Sequence, residues 1–271
     1  MIFFLILALA LFQCTVADYL AENPDFYQLD ADTWETEDFR AMRLGELAAG
    51  LESLTGEQAA ALMIENDYDL TSLESLDWEG SLLSARRPGD YRKLSRAYET
   101  VLGDLEWFPV PKSANPDTPD ITYENGWMDA RSYGAREEGE SRGHEGCDLM
   151  GDARPRGFYP IVSMTDGVVE QAGWLELGGW RLGIRAPGGA YFYYAHLYGY
   201  SRPWKAGDEV QAGELLGYMG DSGYGEEGTV GKFGVHLHVG IYLKTDHYEE
   251  MSVNPYWILR YLEKRRQVFR Y

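Results

Sequence analysis

The spacing of apolar positions changes period partway along the chain. Up to about residue 105 apolar side chains recur at helical intervals, whereas beyond residue 160 they fall in short runs closed by glycine. In the first part, Leu44, Leu47, Ala48, Leu51 and Leu54 share one face of an expected helix, and Asp32 with Glu35 reads as a capping box ahead of it. Thr55 with Gln58 opens a second helix through Ala59, Leu62 and Met63. Pro88 and Asp90 suit the first turn of a third, with Tyr91, Leu94, Tyr98, Val101, Leu102 and Leu105 as its buried stripe.

Between Phe108 and Asn125 four prolines, Pro109, Pro111, Pro116 and Pro119, bar a continuous helix or a central strand. This stretch reads as an extended linker. After it come PIVSM (160–164), GVVEQAGW (167–174), GWRLGIRA (179–186), AYFYYAHL (190–197), EVQAGELLGYMG (209–220) and VHLHVGIYL (235–243). Short strands punctuated this regularly predict an antiparallel sheet, and Pro255 to Arg266 predicts a closing helix. The expected class is α+β: an apolar leader over 1–17, an acidic helical region over 18–108, the Pro-rich linker over 109–125 and a β domain with a C-terminal helix over 126–271.

Charge sharpens this division. The chain of 271 residues carries a formal net charge of −20, and residues 18–125 hold 24 acidic and 8 basic side chains against 20 and 16 in 126–271. No basic patch interleaved with aromatics appears, so nucleic acid is excluded as a partner. The acidic excess reads as a solvated face, with a docking surface as the sharper alternative. The leader MIFFLILALALFQCTVA is short for a membrane span of roughly 20 residues, and Thr15-Val16-Ala17 approximates a small-x-small cleavage site. It predicts a signal peptide or an N-terminal anchor, the one expected membrane contact, and places the protein outside the cytoplasmic membrane. Cleavage there would remove Cys14 and leave Cys147 as the lone thiol, so packing or metal must hold the fold.

Three of the strand-like stretches carry chemistry. In GKFGVHLHVGIYLK (231–244), alternation puts His236 and His238 on one face and Leu237 on the other. In GHEGCDLMG (143–151), His144 and Asp148 have three residues between them, among them Gly146, a residue free to change direction. Two imidazoles and a carboxylate suit Zn²⁺, and a set of His144, Asp148 and His238 leaves one tetrahedral position open. A solvent-facing loop is the alternative for His144 and Asp148. His196 ends the aromatic run YYAHLYG, where packing against tyrosines competes with function.

The order H-x-x-x-D, A-H-L, H-L-H, with a G-x-S-G turn between, resembles the LytM and lysostaphin type of zinc endopeptidase over about Trp127 to Tyr256. G-V-V-x-x-A-G-W, G-G-W-R-L-G-I and the G-D-x-V-x-A-G-x-L-L-G-Y-x-G hairpin at 207–220 belong to the same likeness. The resemblance implies His144, Asp148 and His238 as zinc ligands and His196 and His236 as the non-ligand pair that orients water and supports the transition state. It further implies hydrolysis of peptide bonds in bacterial peptidoglycan, in the stem peptide or the cross-bridge. A non-catalytic scaffold of the same fold, whether wall-binding, amidase-activating or sporulation-related, is the rival, and such scaffolds usually lose a ligand. A zinc carboxypeptidase would need a site for a free carboxylate. Cys147, beside the ligand Asp148, is expected to point away from the metal. The loop 224–235 is longer than the compact turn usual before H-x-H, and His247 is expected in an exposed loop. Ser222 lacks a base partner. Tyr191, Tyr193, Trp180 and Trp204 are read as core rather than groove.

Overall fold

The computed structural model describes residues 2–22, 28–51, 53–75, 83–131, 142–151 and 153–271. An apolar helix, Ile2–Glu22, leads the chain. It runs past Ala17 without a break. Its 20-residue window Ile2–Ala21 has mean hydropathy 2.0, which is long and apolar enough to cross a membrane, a test that signal sequences also pass.

The helical region is less regular than its spacing suggests. Leu44, Ala48 and Leu54 are buried as expected, yet only Gly45–Ala48 forms a helical turn. The reason is a chain reversal. Met42 and Gly45 take positive φ, the Leu70 amide donates to Arg43 O at 2.9 Å, and a Cβ on Gly45 would stand 2.4 Å from Leu70 O. The Asp32–Glu35 capping box does not form, because Asp32 makes no side-chain cap. Thr36 caps the next turn, Glu37–Arg40, by accepting from the Phe39 amide. The Thr55–Gln58 box does form and opens Gly56–Glu65. Pro88–Leu102 buries Tyr91, Leu94, Tyr98, Val101 and Leu102, with Leu105 buried just beyond its end.

The β portion is built on one ten-stranded antiparallel sheet, with two two-stranded pairs apart from it. Glu209–Val210, Gly167–Leu175, Gly179–Arg185, Tyr191–Tyr200, His236–Leu243, Cys147–Met150 and Thr122–Tyr123 pair in that order. Leu215–Met219 bridges Pro160–Val162 to Tyr191–Tyr200, and Met251–Val253 pairs with His236–Leu243. The predicted closing helix spans Pro255–Leu262. Its Asn254 cap accepts from the Tyr256 amide.

The proline-rich segment is packed rather than free. Phe108, Val110 and Ile121 are buried, Lys112–Ser113 pairs in parallel with Val268–Phe269, and Thr122–Tyr123 joins the main sheet beside Cys147–Met150. Prolines forbid a central strand but leave room for such two-residue edges. The buried apolar cluster continues from Leu29 and Phe39 through Val239 and Leu262. Arg40 ties the two parts by donating from Nε to Ser252 O at 2.9 Å, while the Asn254 amide donates to Arg40 O.

Candidate active site

A cleft is built across the middle of the sheet. Register places His238 opposite Asp148 on one side and opposite Ala195 on the other. His236 and His238 face one cleft of about 580 Å³, while Leu237 is fully buried on the opposite face. His144 lies in the turn leading into Cys147–Met150, and residues 126–129 wrap around it. The Met128 amide donates to His144 O, and the His144 amide donates to Asp129 O.

Three donor atoms converge. His144 Nε2 is 3.0 Å from Asp148 Oδ1 and 3.0 Å from His238 Nδ1, and His238 Nδ1 is 2.9 Å from that same oxygen. His144 Nδ1 lies 3.0 Å from Gly126 O, which fixes its proton there and turns the Nε2 lone pair inward. A lone pair and a carboxylate oxygen repel at 3.0 Å, so the cluster is built for a cation between them. These residues could hold a metal ion, and two imidazoles with one carboxylate suit Zn²⁺. Burial would raise the Asp148 pKa, but the imidazoles of His144, His238 and His236 gathered around it hold it far below the carboxylate range. Arg131 Nη2 reaches its other oxygen at 3.4 Å.

Gly146 serves this cluster in a way its sequence position does not suggest. It is absent from the positive-φ glycines. A Cβ there would stand 2.3 Å from His238 Cε1 and 2.5 Å from Nε2, so only glycine lets the ring lie against the backbone. Cys147 turns away from the site as expected. It is fully buried, and its thiol donates to Glu124 O at 3.5 Å. Burial, with the Asp148 charge beside it, pushes the thiol well above its usual range.

His196 and His236 flank the three ligand candidates. His236 Nδ1 is 2.8 Å from Gly234 O, and its Nε2 lies 3.8 Å from Asp148 Oδ1. His196 Nδ1 is 2.8 Å from Ser222 O, and its ring centroid is 4.7 Å from that of His236. His196 does not end its strand. It sits within Tyr191–Tyr200 at a register shift, with φ of 61°, a left-handed conformation that costs energy and aims the ring into the cleft. Burial first, and then the positive potential of His236 and His238, hold His196 well below 6.5, so it is neutral at pH 7.

Ser222 is a brace rather than a nucleophile. Its carbonyl holds His196, and its hydroxyl donates to Leu197 O at 2.7 Å while accepting from the Trp180 amide at 3.0 Å. The long 224–235 loop forms the rim: Tyr224 stacks on His196 with centroids 5.9 Å apart, and Phe233 meets it edge-on at 4.6 Å. Tyr191 and Tyr193 line the cleft, whereas Trp204 is buried away from it beneath Arg202. Gly178 and Gly183 make room for the two tyrosines, since a Cβ on either would strike the hydroxyl of Tyr193 or Tyr191. No described residue before Arg131 lines the cleft. His247 is exposed, yet its Nδ1 is 2.7 Å from Glu35 Oε2 and so joins the two parts of the chain far from the site.

Comparison with known proteins now decides the family. Residues 142–255 match peptidase family M23. The crystal structure of a candidate glycyl-glycine endopeptidase LytM from Ruminococcus gnavus is 39% identical, with TM-score 0.76 over 91% of this chain and 98% of that one. The chain belongs to peptidase family M23. An L-Ala--D-Glu endopeptidase of Bacillus subtilis is 40% identical over 175 residues, 65% of this chain, and the chain spans about half the length of that curated relative, 49%. The catalytic domain of lysostaphin from Staphylococcus simulans is 25% identical over 52% of this chain and 92% of that domain, with TM-score 0.39. The M23 match begins at Arg142, just before His144, and ends beyond His238, so it contains all five histidine and aspartate candidates. It leaves out Gly126 and Arg131, which sequence reasoning also missed. Nothing in the local pattern marks a backbone carbonyl and an arginine thirteen or more residues upstream as neighbours of His144.

Proposed function

We propose that this protein is a zinc-dependent endopeptidase that hydrolyses peptide bonds of bacterial peptidoglycan outside the cytoplasmic membrane, with Ile2–Glu22 as its signal or anchor. The observation that carries the reading is the triangle of His144 Nε2, Asp148 Oδ1 and His238 Nδ1, no side longer than 3.0 Å, beside two further imidazoles. Membership of family M23 supports peptide-bond hydrolysis, and the B. subtilis relative makes an L-alanyl–D-glutamate bond a concrete candidate substrate.

His144, Asp148 and His238 would hold zinc, which would supply Lewis acidity to the scissile carbonyl and to a water molecule. The chain itself manages protons. His196 and His236 commit Nδ1 to the Ser222 and Gly234 carbonyls, which leaves each Nε2 as the reactive nitrogen. One neutral imidazole would accept the proton of the attacking water and return it to the departing amine, while the Nε2 of the other would orient that water. Gly126 and Arg131 hold His144 and Asp148 in place. Tyr224 and Phe233 keep bulk water from the His196 face.

The test is to measure bound metal and the soluble fragments released from purified peptidoglycan by the full chain. His236→Ala should keep zinc and lose release, and His238→Ala should lose both. Equal metal content in the two variants would break the division of roles. Failure of the zinc-loaded wild type to release fragments would refute the function.

A further inference from the structure

Among the described residues, Arg181 is a cation of the cleft that lacks a matching charge. It projects from Gly179–Arg185 into the lining. Nη2 donates to the amide oxygen of Gln171 at 3.3 Å, and Nη1 is buried with no hydrogen-bond partner. The other two arginines in the lining are occupied, Arg131 on Asp148 and Arg142 on the Tyr224 hydroxyl at 3.2 Å. Glu145 and Glu250 also line the cleft, and neither forms an ion pair with Arg181 within 4.0 Å. A guanidinium left unpaired in a partly buried site is costly unless a ligand completes it.

Its position fits substrate. Trp180 pairs with Leu197 and Leu182 with Tyr194, so Arg181 lies across from the irregular stretch of Ala195 and His196. Ala195 in turn is opposite His238. Arg181 therefore starts two strands from a ligand candidate, about 10 Å at the usual inter-strand spacing. An arginine side chain spans most of that gap and reaches a residue adjoining the scissile bond. Burial raises the hydroxyls of Tyr191 and Tyr193, and the Arg181 charge opposes that rise in both, which places the guanidinium beside the two cleft tyrosines.

We infer that Arg181, steadied by Gln171, is a specificity-determining residue that pairs with a free carboxylate on the substrate residue next to the scissile bond. This rests on the peptidoglycan endopeptidase reading and narrows it. A glutamyl residue within a peptide has two carboxyl groups and uses at most one to continue the chain, so the other is available as a planar, bidentate partner for guanidinium. An oligoglycine bridge offers none.

The experiment compares two peptides containing the same L-alanyl–D-glutamyl bond, one with the free carboxylate and one with a carboxamide. It measures kcat/KM with the zinc-loaded full chain and equilibrium binding to the metal-free full chain. Wild type should prefer the acid by at least about tenfold in both. Arg181→Gln should bring the ratio to within about twofold of one, and Arg181→Lys should restore part of it. Equal treatment of acid and amide by wild type, or an unchanged ratio in Arg181→Gln, overturns the inference and leaves the endopeptidase reading standing. Acid-selective binding with cleavage of neither peptide supports the role of Arg181 and overturns the endopeptidase reading. Neither binding nor cleavage overturns both.

Discussion

Leaving tyrosines aside, Thr33 is the one buried residue of polar type among the described residues before residue 126, whereas in the β portion His144, His196 and His236 are buried along the cleft with Ser222 behind His196. Backbone strain divides in the same way. Met42, Asp67 and Tyr68 adopt positive φ in chain reversals of the helical region, while Met128, His196 and Tyr224 do so at the site. The helical region spends its burial on apolar contact, such as Phe39 against Tyr98 with ring centroids 4.8 Å apart. The sheet spends much of its own on holding polar groups close together. A folded protein tolerates a cluster of mutually repelling acceptors when a rigid, well-packed surround fixes them. Here the continuous core supplies that surround.

The largest effect expected from breaking this contrast is at His238. His238→Ala should lower metal affinity by more than about a hundredfold, beyond the range seen for supporting residues, and abolish hydrolysis. The metal-free protein should melt close to wild type, because the lost ring served the ion rather than the core. Dialysis against a chelator followed by metal analysis and thermal melts checks both halves. Phe39→Ala should do the reverse. Removing a fully buried ring is expected to cost about 3–5 kcal/mol of stability, seen in urea unfolding, with zinc content of the folded fraction preserved. A parallel loss of zinc would mean that the two regions are coupled more tightly than their separate contacts imply.

Gly146→Ala comes next. The new methyl would collide with the His238 ring, and metal affinity should fall by about 10- to 100-fold without a matching loss of stability. Smallest is the exposed His247–Glu35 pair. The hydrogen bond and charge of Glu35 raise His247 above 6.5; Glu35 is lowered below 4.5, its pairing with Thr245 and His247 outweighing burial. The stabilisation is therefore full only between those values, fading as pH rises through the raised imidazole pKa and as it falls through the lowered carboxyl pKa. The melting-temperature difference between wild type and His247→Asn should be greatest near pH 5 to 6 and disappear in alkali, and a difference that grows with pH would contradict the assignment.

Much of the sheet was legible because glycine turns and alternation are local signals. VHLHVGIYL (235–243) corresponds to His236–Leu243, and GVVEQAGW (167–174) to Gly167–Leu175. What was not legible depended on partners distant in sequence. Leu44 to Leu54 have helical spacing because they are buried, but the reversal at Gly45 against Leu70 overrides propensity. Gly146 could be read as a turn, and only the approach of His238 from ninety-two residues away explains it. The proline stretch looked like a linker because its edge pairing with Val268–Phe269 is tertiary. At the site, the side chains that converge on the cleft were readable from type and order. Those that hold them, Gly126, Arg131 and the Ser222 carbonyl, were not, since a backbone acceptor leaves no mark in a sequence.

The central claim is best tested by anomalous diffraction at the zinc edge from crystals of the zinc-loaded full chain. The account predicts one zinc peak bonded to His144 Nε2, a carboxylate oxygen of Asp148 and His238 Nδ1, with the nitrogens of His196 and His236 outside bonding distance. Zinc held by His196 or His236, or a peak remote from Asp148, would contradict it.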